Sequence, residues 1–247
     1  MNLKNLIGIF LLSSLLFSCS SKKETFYNIS VGQYFPLQQG KYITYKLDSL
    51  VYINFGKKDT TISYQVKYLT DSLMSDNTGR PAYRIFRFIR KNAWDGWTPD
   101  GTCMAVNTGS LIEFTEDNLK FIKLTEPIRN TFTWKGNSYI NATSINSNLI
   151  YMQDWNYAYS NVETSSIIGN DTLQNTLTVE QRDETINDPQ NLNIYSEVNF
   201  SKEIYARDIG LVYRKFLHRE YQPNTNGTGG YVAEGSYGVT YTMIAHN

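Results

Sequence analysis

Acidic side chains are the first residues of this chain that could carry general acid–base chemistry. Glycoside hydrolysis needs only two carboxyl groups about 5 to 10 Å apart. Since acidic side chains are mostly solvated, we expect the candidates to be surface residues and the protein not to be an enzyme. The candidates by residue type are Glu113, Glu116, Asp117, Asp154 and Asp183.

Histidine and cysteine are scarce, which limits metal and nucleophilic chemistry. The chain has two histidines, His218 and His246, and two cysteines, Cys19 and Cys103. It has no HExxH or CxxC motif, no GxSxG nucleophile motif and no phosphate-binding GxxxxGK or GxGxxG loop. We therefore predict no metal site and no cofactor. A Ser-His-Asp site would have to use His218, which we interpret as a half-exposed strand residue.

Clustered aromatic residues suggest ligand binding. Trp94 and Trp97 lie in a loop that contains Gly and Pro, where a large ring must fold onto the core or contact a ligand. In residues 151–159, four aromatic side chains share one strand parity: Tyr151, Trp155, Tyr157 and Tyr159. These six residues could stack on sugars or line a lipid pocket, and the alternative is that they are simply core.

The N-terminal segment has the features of an export signal. Lys4 precedes an apolar run, Leu6 to Phe17, that is too short for a typical membrane span. Residues 16–19, Leu-Phe-Ser-Cys, resemble the lipobox of bacterial lipoproteins, which implies cleavage after residue 18 and acylation of Cys19. The alternative is an ordinary signal peptide with an incidental Cys. Residues 19–30 would then be a lipidated Cys and tether.

Composition argues against nucleic acid as a partner and gives the net charge of the mature chain. Removal of residues 1–18 takes away Lys4 and no acidic residue, so the formal charge changes from zero to −1. This balance predicts no nucleic-acid binding. With 41% hydrophobic residues, residues 31–247 suit a single domain. Cys103 has no disulfide partner if Cys19 is acylated, and we expect it to be a buried apolar residue.

Alternating apolar residues predict β-strands through most of the chain. Residues 41–55 and 62–68 alternate on either side of a GKKDT turn, which predicts an antiparallel hairpin. Residues 81–92 are apolar on both parities, as in a central strand. One or two helical turns are predicted near 201–208. Further strands are predicted over 102–107, 110–115, 119–124, 149–163, 173–182, 192–200, 210–221 and 231–245, with Gly235 and Gly238 bending the last one.

Many strands joined by short turns favour an antiparallel meander, and a sheet with this many strands tends to curl or to split into two layers. We predict an all-β fold, either a strongly curved antiparallel meander sheet or an incomplete barrel. A β-sandwich is the alternative.

Three stretches resemble a group of uncharacterised Bacteroidetes envelope lipoproteins: residues 34–52, 119–139 and 205–216. The resemblance implies an all-β lipoprotein, similar in shape to half-barrel lipoprotein carriers of the LolA and LolB type. The residues after Cys19 are not acidic, and by the same resemblance this implies an outer-membrane protein that faces the periplasm. Four Asp-Ser/Thr-apolar triplets also resemble O-glycosylation acceptors of that phylum, at Ser49, Thr60, Ser72 and Thr172.

Two functional hypotheses follow. The leading one is a non-enzymatic, lipid-anchored envelope protein that binds an apolar molecule or a glycan in the concavity of its sheet. The alternative is a structural or interaction subunit that binds another envelope protein. A glycan hydrolase is the third reading, because paired acids cannot be recognised from sequence.

Overall fold

The computed structural model describes residues 29–144, 147–224 and 229–247. In this part of the chain the backbone forms thirteen strands and almost no helix. A four-residue helix, α1, spans Val31–Tyr34, and Ile150–Met152 form a 3-10 turn. The strands are β1 Tyr42–Ile53, β2 Lys58–Ser75, β3 Pro81–Arg90, β4 Thr98–Asn107, β5 Leu111–Glu116, β6 Leu119–Thr125, β7 Thr133–Trp134, β8 Tyr157–Ile168, β9 Asp171–Ile186, β10 Ser196–Ala206, β11 Gly210–Gln222, β12 Tyr231–Val232 and β13 Tyr237–His246.

The strands of the described residues join one antiparallel sheet. Its order is β6-β5-β4-β3-β2-β1-β13-β11-β10-β9-β8-β7, and β12 pairs with β11 beside this path. The sheet curls into a nearly closed barrel, so that the edge strands β6 and β7 approach each other along one unsealed seam. The predicted incomplete barrel is therefore confirmed, and the sandwich alternative is not formed.

Period-two alternation explains why these residues form strands with one buried face. In β1, Tyr45 and Leu47 are buried while Lys46 between them is exposed, and Tyr45 lies opposite Val66 of β2. The rings of Tyr45, Tyr68 and Tyr241 meet edge to face across three strands, with centroids 5.7 to 6.5 Å apart. Such aromatic pairs contribute about 0.5 to 1.5 kcal/mol each beyond the area that they bury.

Side chains bridge the seam where ladder hydrogen bonds are few. The Tyr159 hydroxyl donates to the Thr125 carbonyl oxygen and accepts from the Thr125 N–H, both at 2.8 Å. The Trp134 indole N–H donates to the Ile122 carbonyl oxygen at 2.9 Å. Gly136 accepts from the Ile122 N–H at 2.7 Å, and a Cβ at Gly136 would lie 2.0 Å from the Tyr157 ring. The seam therefore requires glycine at this position.

The two ends of the barrel differ. At one end, which we call the closed end, α1 packs against the connection between β10 and β11. The Asp208 N–H donates to the Gln33 carbonyl oxygen at 2.7 Å, and Val31 and Tyr34 of α1 are 0% exposed. The opposite end, which we call the open end, carries the connection between β9 and β10 and the short strand β12.

Three local predictions are wrong. Residues 149–156 are not part of a strand, because a 3-10 turn and the positive φ of Asp154 carry the chain onto the core, where the Trp155 indole N–H donates to the Tyr151 carbonyl oxygen. Residues 201–206 continue β10 instead of forming helical turns. The predicted strand over 231–245 is interrupted at Gly235, whose φ is +95°, and divides into β12 and β13.

Two cysteine predictions have different outcomes. Cys103 is buried, as predicted, and burial raises the pKa of its thiol to about 12, so that it is not an activated nucleophile. Cys19, the signal segment and most of the tether lie outside the described residues.

Candidate functional site: an acidic cleft at the open end

A cleft of about 1180 Å³ lies at the open end of the barrel. Ligand sites of small molecules are commonly about 300 to 1000 Å³, so the cleft has room for one. Its walls come from the inner faces of β9, β10 and β11, from the first residue of β13 and from three connections, β7–β8, β9–β10 and β12–β13. The lining residues are Ser147, Asn148, Leu149, Ile150, Tyr151, Gln153, Asp154, Arg182, Glu184, Tyr195, Glu197, Asn199, His218, Glu220, Glu234, Gly235 and Tyr237.

Strand register brings the polar side chains of this cleft together. Asn199 of β10 lies opposite Glu184 of β9 on one side and opposite His218 of β11 on the other. Glu197 lies opposite Glu220 on β11. Because residues two apart on a strand share a face, these five side chains form one polar surface inside the barrel mouth.

Hydrogen bonds from Asn199 fix the tautomer of His218. Asn199 Nδ2 donates to Glu197 Oε1 at 2.7 Å and to Glu184 Oε2 at 3.3 Å. Its Oδ1 must therefore accept, and His218 Nδ1 lies 2.7 Å from it. Burial lowers the pKa of His218 below 6.5 although Glu197 and Glu220 raise it, so the ring is neutral at pH 7. The lone pair of the neutral ring is then on Nε2.

Tyrosine rings form the apolar part of the cleft. The Tyr151 ring stacks on the His218 ring with centroids 3.8 Å apart, and Tyr237 stacks on Phe216 at 4.9 Å. The Tyr195 hydroxyl donates to Glu197 Oε2 at 2.7 Å. Burial, and then the proximity of Tyr237, raise the pKa of Tyr151 well above its usual value, so it stays a neutral hydroxyl. Aromatic faces beside directed polar groups are typical of ligand sites.

Below the cleft, charged side chains cross the barrel interior. Lys123 Nζ of β6 lies 2.5 Å from Glu203 Oε1 of β10, and Arg214 Nη1 of β11 lies 3.1 Å from Glu116 Oε2 of β5. The Tyr205 hydroxyl donates to Glu203 Oε2 at 2.6 Å. Each pair joins strands that are far apart in the sheet order, so the interior is held together through its centre.

The carboxylates of this interior network stay ionised. Burial alone would raise the pKa of Glu116, but the charge of Arg214 and a hydrogen bond from Tyr68 bring it down to about 2. Burial opposes ionisation of Glu203 in the same way, and Lys123 and Arg214 hold its pKa below the ordinary value. The network therefore consists of paired charges, and its role is structural.

The closed end holds a second, much smaller cavity of about 80 Å³. Its walls are mainly apolar, and its lining includes Phe35, Ile43, Ile85 and Phe114 together with Glu116 and Arg214 of the interior network. One water occupies about 30 Å³ of liquid volume, so this cavity is far below the size of a ligand pocket.

The six aromatic residues predicted to bind ligand do not come together in one place. Trp155, Tyr157 and Tyr159 are buried in the main hydrophobic core. Trp94 is 83% exposed in the connection between β3 and β4. Trp97 lies beside the Arg90 guanidinium, whose carbon is 4.2 Å from its ring centroid. Tyr151 is the member of the set that lines the open-end cleft.

The acids chosen from the sequence are also dispersed. Glu113 accepts from Arg80 and Tyr139 and pairs with Lys120, Glu116 lies in the interior network, and Asp117 and Asp183 are exposed. Only Asp154 lines the cleft. The sequence alone does not point to the glutamates that meet there, although Glu197 and Asn199, on one parity of the strand predicted over 192–200, are a polar pattern typical of a solvated inner face.

The four predicted glycosylation acceptors all lie on strands. Thr60 and Thr172 are exposed, and Ser49 and Ser72 are partly exposed.

Across 29–144, 147–224 and 229–247, no cluster of three or more His, Cys, Asp or Glu side chains could hold a metal ion. No helix in those ranges is long and apolar enough to cross a membrane.

Comparisons with known proteins give distant likenesses. No protein-family model matches the chain, and no curated protein matches it. A solved structure from Bacteroides fragilis, provisionally described as an exported protein with a YmcC-like fold, is 13% identical, with 86% of this chain and 99% of that chain covered and a TM-score of 0.39. A protein from Parabacteroides distasonis, provisionally described as a lipoprotein, is 10% identical, with 87% and 98% covered and a TM-score of 0.35.

Proposed function

We propose that the protein is a non-enzymatic, lipid-anchored envelope protein that binds a glycan in the open-end cleft. One observation carries the proposal: the cleft of about 1180 Å³ combines tyrosine rings with a connected set of hydrogen-bonding side chains. Sugars present apolar ring faces and many hydroxyl groups, so a surface with both properties is complementary to them.

The two cavities favour a polar ligand over an apolar one. Asn199, His218 and four glutamates line the large cleft. An apolar molecule bound there would displace the water around these side chains and would offer no hydrogen bonds in its place. The apolar cavity at the closed end is about 80 Å³, which is too small for an acyl chain. The hypothesis that an apolar molecule binds in the concavity of the sheet is therefore the weaker one.

Calorimetric titration of the full chain in detergent with a panel of glycans, and with a fluorescent fatty acid, tests this function. We expect one glycan class to bind and the fatty acid not to bind. Tyr237→Ala should weaken glycan binding, because Tyr237 lines the cleft and is 41% exposed. Tyr231→Ala is the matched control, since Tyr231 is 47% exposed and is not among the cleft residues. Absence of binding by every glycan would refute the proposal.

Hydrolysis of the glycan is the second candidate, because two carboxylates of the cleft share one amide. Asn199 Nδ2 contacts both Glu184 and Glu197. The hydrogen bond from Arg182 holds the pKa of Glu184 below its usual value, which suits a nucleophile or base and does not suit a general acid. Release of new reducing ends from a bound glycan, lost in Glu184→Gln, would favour the hydrolase over the binding protein.

A further inference from the structure

The open-end cleft carries more negative charge than its described neighbours compensate. Five carboxylates line it, from Asp154, Glu184, Glu197, Glu220 and Glu234. Arg182 is the cation among the described lining residues, and it pairs with Glu184. Lys135 Nζ, outside the lining, lies 3.9 Å from Asp154 Oδ1. Among the described residues, no Lys or Arg forms an ion pair with Glu197, Glu220 or Glu234. His218 is neutral at pH 7 because burial lowers its pKa. An excess of carboxylates in a confined space favours a positively charged ligand.

The strand register places two of these negative charges directly opposite each other. Glu197 and Glu220 are direct cross-strand partners on β10 and β11. Like charges that are directly opposite destabilise a sheet, so a cation between them would relieve a cost that the fold carries. Their known contacts are uncharged donors: Tyr195 and Asn199 donate to Glu197, and Gln222 donates to Glu220.

His218 supplies an independent acceptor beside this pair. Its side chain is 10% exposed, and Nδ1 lies 4.0 Å from Glu197 Oε1. The Asn199 contact and the Tyr151 stack fix the ring, and the lone pair is on Nε2. No hydrogen bond from a described residue reaches Nε2, and His218 lines the cleft, so Nε2 is free to accept from a ligand there. An N–H of an ammonium group would be a suitable donor.

We propose that the ligand of the open-end cleft is an amino sugar, whose ammonium group lies between Glu197 and Glu220 and donates to His218. This inference rests on the proposed glycan-binding function and names its ligand class. The sugar rings would then contact Tyr151 and Tyr237, and tyrosine faces also attract a nearby cation.

A matched pair of glycans tests the proposal. The full chain in detergent is titrated at pH 7, where His218 is neutral and most amine groups are protonated, with a glucosamine tetramer and with its N-acetylated counterpart. We expect the amine form to bind about tenfold more tightly, because acetylation removes the charge and the donors. The difference should shrink as salt is added, since screening weakens the interaction.

Isosteric variants locate the ammonium site. Glu197→Gln and Glu220→Gln should each lower the affinity for the glucosamine tetramer about tenfold and leave the affinity for neutral glycans nearly unchanged. Asp183→Asn removes the same charge from an exposed position outside the cleft and should have no effect. Circular dichroism and the melting temperature show that each variant is folded, and either glutamate variant alone is sufficient for the test.

The outcomes separate the inference from the function on which it rests. Equal binding of the two tetramers, or binding of neutral or acidic glycans only, overturns the amino-sugar proposal and leaves glycan binding intact. A loss of affinity in Asp183→Asn equal to that in Glu197→Gln also overturns it, because the effect would then be one of net charge. If no glycan of any kind binds, both proposals fail.

Discussion

The carboxylate of Glu203 is 0% exposed, and Lys123 across the barrel stabilises its charged form. Removal of one partner from a buried ion pair costs about 3 to 5 kcal/mol when the other charge stays buried without compensation. Arg214 Nε lies 3.8 Å from Glu203 Oε1 and offsets part of this cost, so we expect Lys123→Met to lower the free energy of unfolding by less than that amount, as measured by urea denaturation.

The double variant Lys123→Met/Glu203→Gln tests whether the loss comes from the uncompensated charge. A neutral amide in place of the Glu203 carboxylate no longer needs a cation, so most of the lost stability should return. If the double variant is as unstable as Lys123→Met, packing around Lys123 is responsible instead.

Glu116 gives the interior network a defined pH dependence. Its pKa is about 2 in the folded protein against an ordinary value of 4.5, so the unfolded chain takes up the proton first as pH falls. The stability that its charge contributes is complete above about pH 4.5 and is lost towards pH 2. We expect Glu116→Gln to be less stable than the wild type at pH 7, and the difference between them to shrink over that interval.

Urea denaturation of both proteins across the pH range measures this difference. Asp183→Asn, which removes an exposed acid, serves as the control and should follow the wild type. A difference between Glu116→Gln and the wild type that is constant from pH 7 to pH 2 would contradict the assignment.

At the level of elements, one hydroxyl of β8 reaches across the seam to the end of β6. Tyr159 both donates to and accepts from the backbone of Thr125. We expect Tyr159→Phe to lower the free energy of unfolding by about 1 to 3 kcal/mol, because two partly buried backbone groups of Thr125 lose this partner. Tyr231→Phe, at an exposed position, should change it by less than about 0.5 kcal/mol. Equal effects would show that the seam does not need the Tyr159 hydroxyl.

Most strands could be predicted from the sequence because alternation is a local property. The register could not, since it is set by irregularities such as the shift between Ser201 and Lys202, which decides the residues of β9 that lie opposite Glu197 and Asn199. The same limit applies to the site: Glu184, Asn199 and His218 come from three strands, and nothing local to any one of them shows that they meet. The aromatic spacing of residues 149–156 predicts a strand, but the same spacing also fits a turn that buries Trp155, and the chain forms the turn.

At the scale of the whole molecule, membrane attachment is the property that the N-terminal sequence predicts. We expect Cys19→Ala to release the protein from the membrane fraction and to abolish incorporation of labelled palmitate, because acyl chains contribute about 0.8 kcal/mol per buried CH₂. Cys103→Ala is the control and should label normally. Unchanged labelling of Cys19→Ala would refute the assignment.

The position of α1 determines which end of such an anchored molecule is tethered. The described chain enters the barrel at the closed end, and residues 20–28 separate Cys19 from Ile29, a reach of at most about 35 Å. With lipid on Cys19, the closed end is the tethered end, and the cleft lies at the opposite end of the barrel. The attachment point would then leave the mouth of the cleft open to polymers in the surrounding space.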